Sequence, residues 1–101
     1  MGSTIRVLIF EPGINRGVVR TVPHELAALQ ALIGGHLEAV RSWIFGAGMM
    51  LVVNEDGHGL DLPYNRLGIL GTFFVVRVAG NDFASLTDED VRTARAMFEI
   101  I

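Results

Sequence analysis

The chain has no cysteine, which excludes a disulfide framework and a thiolate zinc site and agrees with a reducing cytoplasm. Lysine is missing too. All eight basic residues are Arg, a skew that a GC-rich genome produces more readily than any chemistry does. There is no basic run, and the formal charge is -3. The clustered cations that displace counterions from a nucleic-acid backbone are therefore lacking, and nucleic acid is not expected as a partner. Long hydrophobic runs are absent as well. Although the mean hydropathy is positive, Gly, Arg, Asp or Asn breaks each apolar stretch within about ten residues, well short of a spanning helix. A membrane is thus not expected. Ile5 to Phe10 is too short for the apolar region of a secretory signal and ends in Glu11-Pro12, so a cytoplasmic protein is expected.

What is present points to one folded domain over residues 1–101, with Met1–Ser3 as a disordered lead-in or a cloning remnant. A length of 101 residues supports one core and not two. Half of the residues are hydrophobic and 19% are charged, which suits a compact domain and not a disordered tail. No linker, repeat or low-complexity segment interrupts it.

Thr4 to Phe10 reads as a strand, with Ile5, Val7 and Ile9 on one face and Arg6, Leu8 and Phe10 on the other. Both faces are expected to be covered. Glu11-Pro12-Gly13 breaks this strand, and Val18 to Val22 looks like its antiparallel return after a turn near Asn15-Arg16-Gly17. Pro23 suits the first turn of a helix, in which Leu26, Leu29, Leu32 and Ile33 recur at helical spacing. Gly34-Gly35 then reads as a C-cap; a phosphate-cradling glycine loop would precede a helix, whereas this pair follows one. His36 to Arg41 alternates as a half-exposed strand, with Leu37 and Ala39 on one face and His36, Glu38 and Val40 on the other.

Met49 to Val53 reads as a strand buried on both faces, and Thr72 to Val78 as the strongest strand of the chain, inside the sheet. Thr87 with Asp90 forms a capping box, and Leu86 with Val91 a hydrophobic staple. The helix that begins there buries Val91, Ala94, Phe98 and Ile101, and the Asp88, Glu89 and Asp90 cluster in its first turn serves the helix dipole, not catalysis. The expected order is β-β-α-β-β-(β)-β-α: an α+β fold with a mainly antiparallel sheet of four to six strands and both helices on one face.

The chemistry concentrates in Asn54 to Arg66, where turn formers and charged groups lie between two apolar runs. His24, His36 and His58 lack the His-x-x-x-His spacing that sets two imidazoles on one helical face, so no metal is expected. Ser3, Ser42 and Ser85 lack the context of a nucleophile. Glu55 with Asp56 or Asp61 could act as acid and base, but Asp56-Gly57 is explained better as a two-residue hairpin turn. No catalytic residue and no cofactor is expected. Tyr64-Asn65-Arg66 after Pro63 presents a phenol, an amide and a guanidinium, which either hold a polar ligand or serve the turn itself, Arg66 pairing with Glu55 or Asp61. The candidate ligand-binding set is Asn54, Glu55, Tyr64, Asn65 and Arg66. Trp43-Ile44-Phe45, before the Gly46-Ala47-Gly48 loop, is either tucked over the core or exposed as a partner-binding tip.

Several ordered motifs carry a family likeness. Glu11-Pro12-Gly13, Leu29-Gln30-x-Leu32-Ile33-Gly34-Gly35 leading to Glu38-Ala39-Val40, Asn54-Glu55-Asp56-Gly57, Leu62-Pro63-x-Asn65-Arg66, Gly71-Thr72-Phe73-Phe74 and Ser85-Leu86-Thr87-Asp88 resemble domain of unknown function 3846 nearly end to end. That resemblance implies a small accessory protein of bacteria, phages and plasmids, and no particular activity. Two functions are carried forward. One is a non-catalytic interaction module, phage-encoded, that binds a host protein or itself through Trp43, Ile44, Phe45 and the neighbouring sheet edge. The alternative is a binder of a small anionic ligand, such as a nucleotide signal, that uses the Asn54–Arg66 segment.

Overall fold

The computed structural model describes residues 3–14, 16–40, 48–57, 59–63, 65 and 69–99. The elements run β1 (Thr4–Phe10), β2 (Val18–Pro23), α1 (Leu26–Ile33), β3 (Leu37–Val40), β4 (Met49–Asn54), β5 (Phe73–Ala79), β6 (Asp82–Ala84) and α2 (Asp88–Glu99). All pairings are antiparallel, and they build a six-stranded sheet of order β2-β1-β5-β4-β3, with β6 on β5. The fold is α+β. Among the described residues no helix is long and apolar enough to cross a membrane.

The density of aromatic and β-branched residues in β5 puts it at the centre. Phe73, Phe74, Val75 and Val76 are all fully buried, which requires paired strands on both edges and a covering layer on both faces. β1 pairs with the first half of β5, and β6 with Arg77 to Ala79. Since β4 also pairs with Arg77, β6 must lie on the β1 side. There β1 parts from β5: the Arg6 carbonyl accepts the Leu86 N–H at 3.0 Å, and the Ser85 hydroxyl accepts the Arg6 N–H at 3.0 Å.

The helices lie on opposite faces, not on one face as expected. α2, with Leu86 just before it, packs Val91, Ala94 and Phe98 on Leu8, Phe10, Met49, Leu51, Phe73 and Val75. α1 packs Leu29 and Ile33 on Ile5, Val7, Ile9, Val52, Phe74 and Val76. The reason lies in the strands: β1, β4 and β5 are apolar at successive positions, so each face of the sheet needs its own cover. On the α2 face Phe10, Phe73 and Phe98 form a cluster with ring centroids 5.0 to 5.4 Å apart.

Two other expectations change. Pro23 ends β2 opposite Thr4 instead of opening α1, since residues 18, 20 and 22 bond to β1 and the missing N–H of Pro23 falls on the free edge. α1 begins at Leu26 after Glu25, which makes no side-chain cap. The sixth strand, β6, follows the central strand β5 instead of preceding it as expected; the two-residue Gly80-Asn81 turn, with Gly80 at φ +63, closes the β5–β6 hairpin. The remaining terminal signals hold. Gly34 adopts φ 75 and donates to the Gln30 carbonyl at 2.8 Å. Thr87 Oγ1 accepts the Asp90 N–H at 3.0 Å, while Asp90 Oδ2 accepts the Thr87 N–H at 2.9 Å.

Candidate functional site

The β3–β4 hairpin forms the open end of the sheet. Glu38 faces Val53 and Val40 faces Leu51 across it, and these residues, with Glu55, Ile69 and Leu70, line a groove of about 220 Å³ on the α2 face. Its floor is aliphatic and its rim carries the carboxylates of Glu38 and Glu55. α2 covers the β1, β5 and β4 side chains nearer the middle, so the groove stays open where the helix does not reach.

Asn54 holds this end together. Its Nδ2 donates to the Ile33 carbonyl at 3.0 Å, and its Oδ1 accepts the Asp56 N–H at 2.8 Å. One buried amide therefore satisfies both the C-terminus of α1 and the turn that follows β4. A Cβ at Gly35 would stand 2.7 Å from Asn54 Nδ2, so only glycine leaves the amide room. Asp56-Gly57 lies in that turn, where Gly57 N–H donates to the Asn54 carbonyl at 3.3 Å. It does not close a two-residue hairpin, because β4 continues to β5 only through a long connection. His36 Nδ1 sits 2.8 Å from Asp56 Oδ2, and that hydrogen bond and charge raise the His36 pKa above its ordinary value.

Of the predicted ligand set, Asn54 and Glu55 come together at the groove, Asn54 buried and Glu55 exposed. Asn65 lies elsewhere. Its Nδ2 donates to the Phe10 carbonyl at 3.0 Å and to the Gly71 carbonyl at 2.9 Å, and so ties the loop before β5 to the end of β1. Tyr64 and Arg66 lie outside the described residues, as do His58 and the Trp43-Ile44-Phe45 tip. The reading missed Glu38, Val40, Ile69 and Leu70 as groove residues. For the first two the signal was present, since His36, Glu38 and Val40 alternate onto one face; Ile69 and Leu70 are brought in by a connection that sequence spacing does not reveal.

Two further clusters bear on chemistry. Arg77 Nε and Nη2 donate to Asp90 Oδ2 and Oδ1 at 2.7 and 2.6 Å. This fork, helped by the Thr87 bonds, outweighs burial and holds the Asp90 pKa down to about 2. Both partners are thereby fixed in the ionised pair, which makes it a clamp between β5 and α2. On the opposite face a groove of about 520 Å³ passes Ser3, His24, Leu26, Leu29, Asp82 and Phe83. His24 Nε2 lies 3.1 Å from Asp82 Oδ1, and the Ser3 carbonyl accepts the His24 N–H at 3.0 Å. Ser3 thus meets His24 through the backbone, which is not the nucleophile-to-base contact that hydrolysis needs. Among the described residues no three His, Asp or Glu side chains are grouped to hold a metal ion.

The family model described as Domain of unknown function (DUF3846) matches residues 5–99, and the chain belongs to that family. Comparison with curated proteins and with solved structures finds no match.

Proposed function

We propose that this member of the domain of unknown function 3846 family is a non-catalytic, cytoplasmic interaction module, an accessory protein of a phage or other mobile element. It takes up an extended segment of a host protein, or of itself, along β3. The observation that carries the reading is the free edge of β3 beside the groove. Among the described residues β3 pairs with β4 alone. The Glu55 N–H donates to the His36 carbonyl at 2.9 Å, which sets the alternation: the backbone groups of Glu38 and Val40 turn inward to β4, and those of Leu37 and Ala39 turn outward. An extended chain can bond to those outward groups and lay alternate side chains over the groove, the mode of strand addition.

The anionic-ligand alternative gains no support from the described residues. Glu38 and Glu55 are carboxylates, and the amides of Asn54 and Asn65 hold backbone groups. It would rest on Tyr64 and Arg66 alone.

A displayed library of random decapeptides tests the module. Retained peptides should be lost when Ala39 is replaced by proline, which removes an outward N–H and spares the bonds to β4. If no peptide is retained by the wild type, or if Ala39→Pro retains them equally, the strand-addition reading falls.

A further inference from the structure

The sheet has a second free edge, and the two edges are complementary. β2 pairs only with β1 among the described residues, in a register where Val18, Arg20 and Val22 face Ile9, Val7 and Ile5. Because antiparallel ladders bond at alternate residues, Val18, Arg20 and Val22 turn their backbone groups toward β1, and Val19 and Thr21 turn theirs outward. β3 does the same with Leu37 and Ala39. Each edge thus offers two outward residues that flank one exposed charge: Arg20 on β2 and Glu38 on β3.

These positions discriminate between pairings. When β3 meets β3 of a second copy so that Leu37 bonds with Ala39, Glu38 falls opposite Glu38. When β2 meets β2 so that Val19 bonds with Thr21, Arg20 falls opposite Arg20. In these two registers like charges meet at the close, non-bonded position of the ladder, where they repel. When β3 meets β2 of another copy in antiparallel fashion, Leu37 bonds with Thr21 and Ala39 with Val19. Glu38 then falls opposite Arg20, and Val40, 40% exposed, opposite Val18, 41% exposed. A slip of two residues spoils this match. One direction brings Pro23, which has no N–H, opposite Leu37; the other sets Val18 against Glu38.

We propose that the segment taken up by β3 is β2 of a second copy of this chain, joined head to tail with Glu38 against Arg20. This deepens the interaction-module reading and rests on it. β2 and β3 run in the same direction within one chain, since four antiparallel steps separate them, so each added copy is turned over by half a turn about the row. Val18 and Arg20 of the incoming strand then lie on the groove face of β3, opposite Val40 and Glu38. Each copy has one edge of each kind, so the contact propagates into rows and does not close as a dimer.

Light scattering over a concentration series, with the single variants Arg20→Glu and Glu38→Arg, their equimolar mixture and the double swap, tests this. The wild type should grow in mean mass without a plateau at the dimer. Each single variant should associate about tenfold more weakly, because an attractive cross-strand pair becomes a repulsive one. The mixture and the double swap should recover association, since each then again sets Glu against Arg. The circular dichroism melts should coincide, both side chains being exposed. A wild type that stays monomeric throughout overturns the proposal; if decapeptides still bind at β3, the broader module reading survives that failure. Association that ignores either charge reversal, or a mixture that stays monomeric, overturns the register.

Discussion

The middle of the sheet and its β3 end use the same kinds of contact in opposite ways. Under α2, an aspartate and three phenylalanines are enclosed, Asp90 at 5% exposed and Phe10, Phe73 and Phe98 fully buried, and a half-exposed arginine closes on the aspartate. Toward β3, an aspartate and a histidine pair on the surface, and an aliphatic floor lies open under Glu38 and Glu55. Burial is what separates them. An ion pair whose carboxylate is removed from water and held by several hydrogen bonds locks two elements together, whereas a pair exposed on both sides is screened and leaves its neighbourhood available. The closed middle keeps the fold, and the open end leaves the site of the proposed contact accessible.

Substitutions can break this contrast, and the largest effect belongs to the closed core. Phe98→Ala removes the α2 member of the aromatic cluster and should cost about 3–5 kcal/mol in denaturant unfolding. Next comes the clamp. Asp90→Asn should cost about 2–3 kcal/mol, because Arg77 loses its charged fork partner and the helix its capping carboxylate. The pH dependence gives a second readout of the same group. Asp90 has a pKa of about 2 in the folded state, below its ordinary value of 3.8. The stability it contributes, about 2 kcal/mol, is present above pH 4 and is lost as the pH falls from about 4 to 2. Asp90→Asn should flatten the unfolding profile in that window; an unchanged profile would show that the clamp does not carry the acid sensitivity.

The contrast is sharpened at the open end. Asn54→Ala leaves the Ile33 carbonyl and the Asp56 N–H without their partner, which should lower stability by about 1–3 kcal/mol and weaken decapeptide retention by loosening the turn under the groove. Smallest of all is the surface pair. His36 has a raised pKa because it faces Asp56, so any stability it adds is present below the unfolded value of 6.5 and is lost as the pH rises through the folded one. Since the ring is exposed, Asp56→Asn should leave the melt unchanged. In an NMR titration, however, the His36 midpoint should fall back toward the ordinary value.

Much of the fold was legible because its signals are local. The Thr87 and Asp90 capping box lies within four residues, the Gly34 cap follows its helix directly, and the strand over Phe73–Ala79 declares itself by composition. Misreadings arose where a residue had two local uses. Pro23 is equally suited to a helix start and to the end of an edge strand, and Gly80-Asn81, which has the composition of a two-residue turn, leads into a strand of only three residues, too short to show a period of its own. Asn54 and Asn65 are expected from the sequence as ligand groups, and in the structure both amides hold backbone groups. Their partners, however, are carbonyls 21 and 55 residues away in the chain, which no spacing rule can identify.

By itself, then, the sequence determined both helices and five of the six strands, where most of them end, and that the central strands are apolar on both sides. These follow from short-range periodicities of two and of three to four residues, which each segment carries within itself. Only the tertiary structure decided which helix covers which face, which strands remain edges, and where Glu38, Glu55, Ile69 and Leu70 meet. Such choices depend on how the connections return the chain on itself, and on the long-range hydrogen bonds, above all Arg77 with Asp90 and Asn54 with Ile33, that make one return more stable than another.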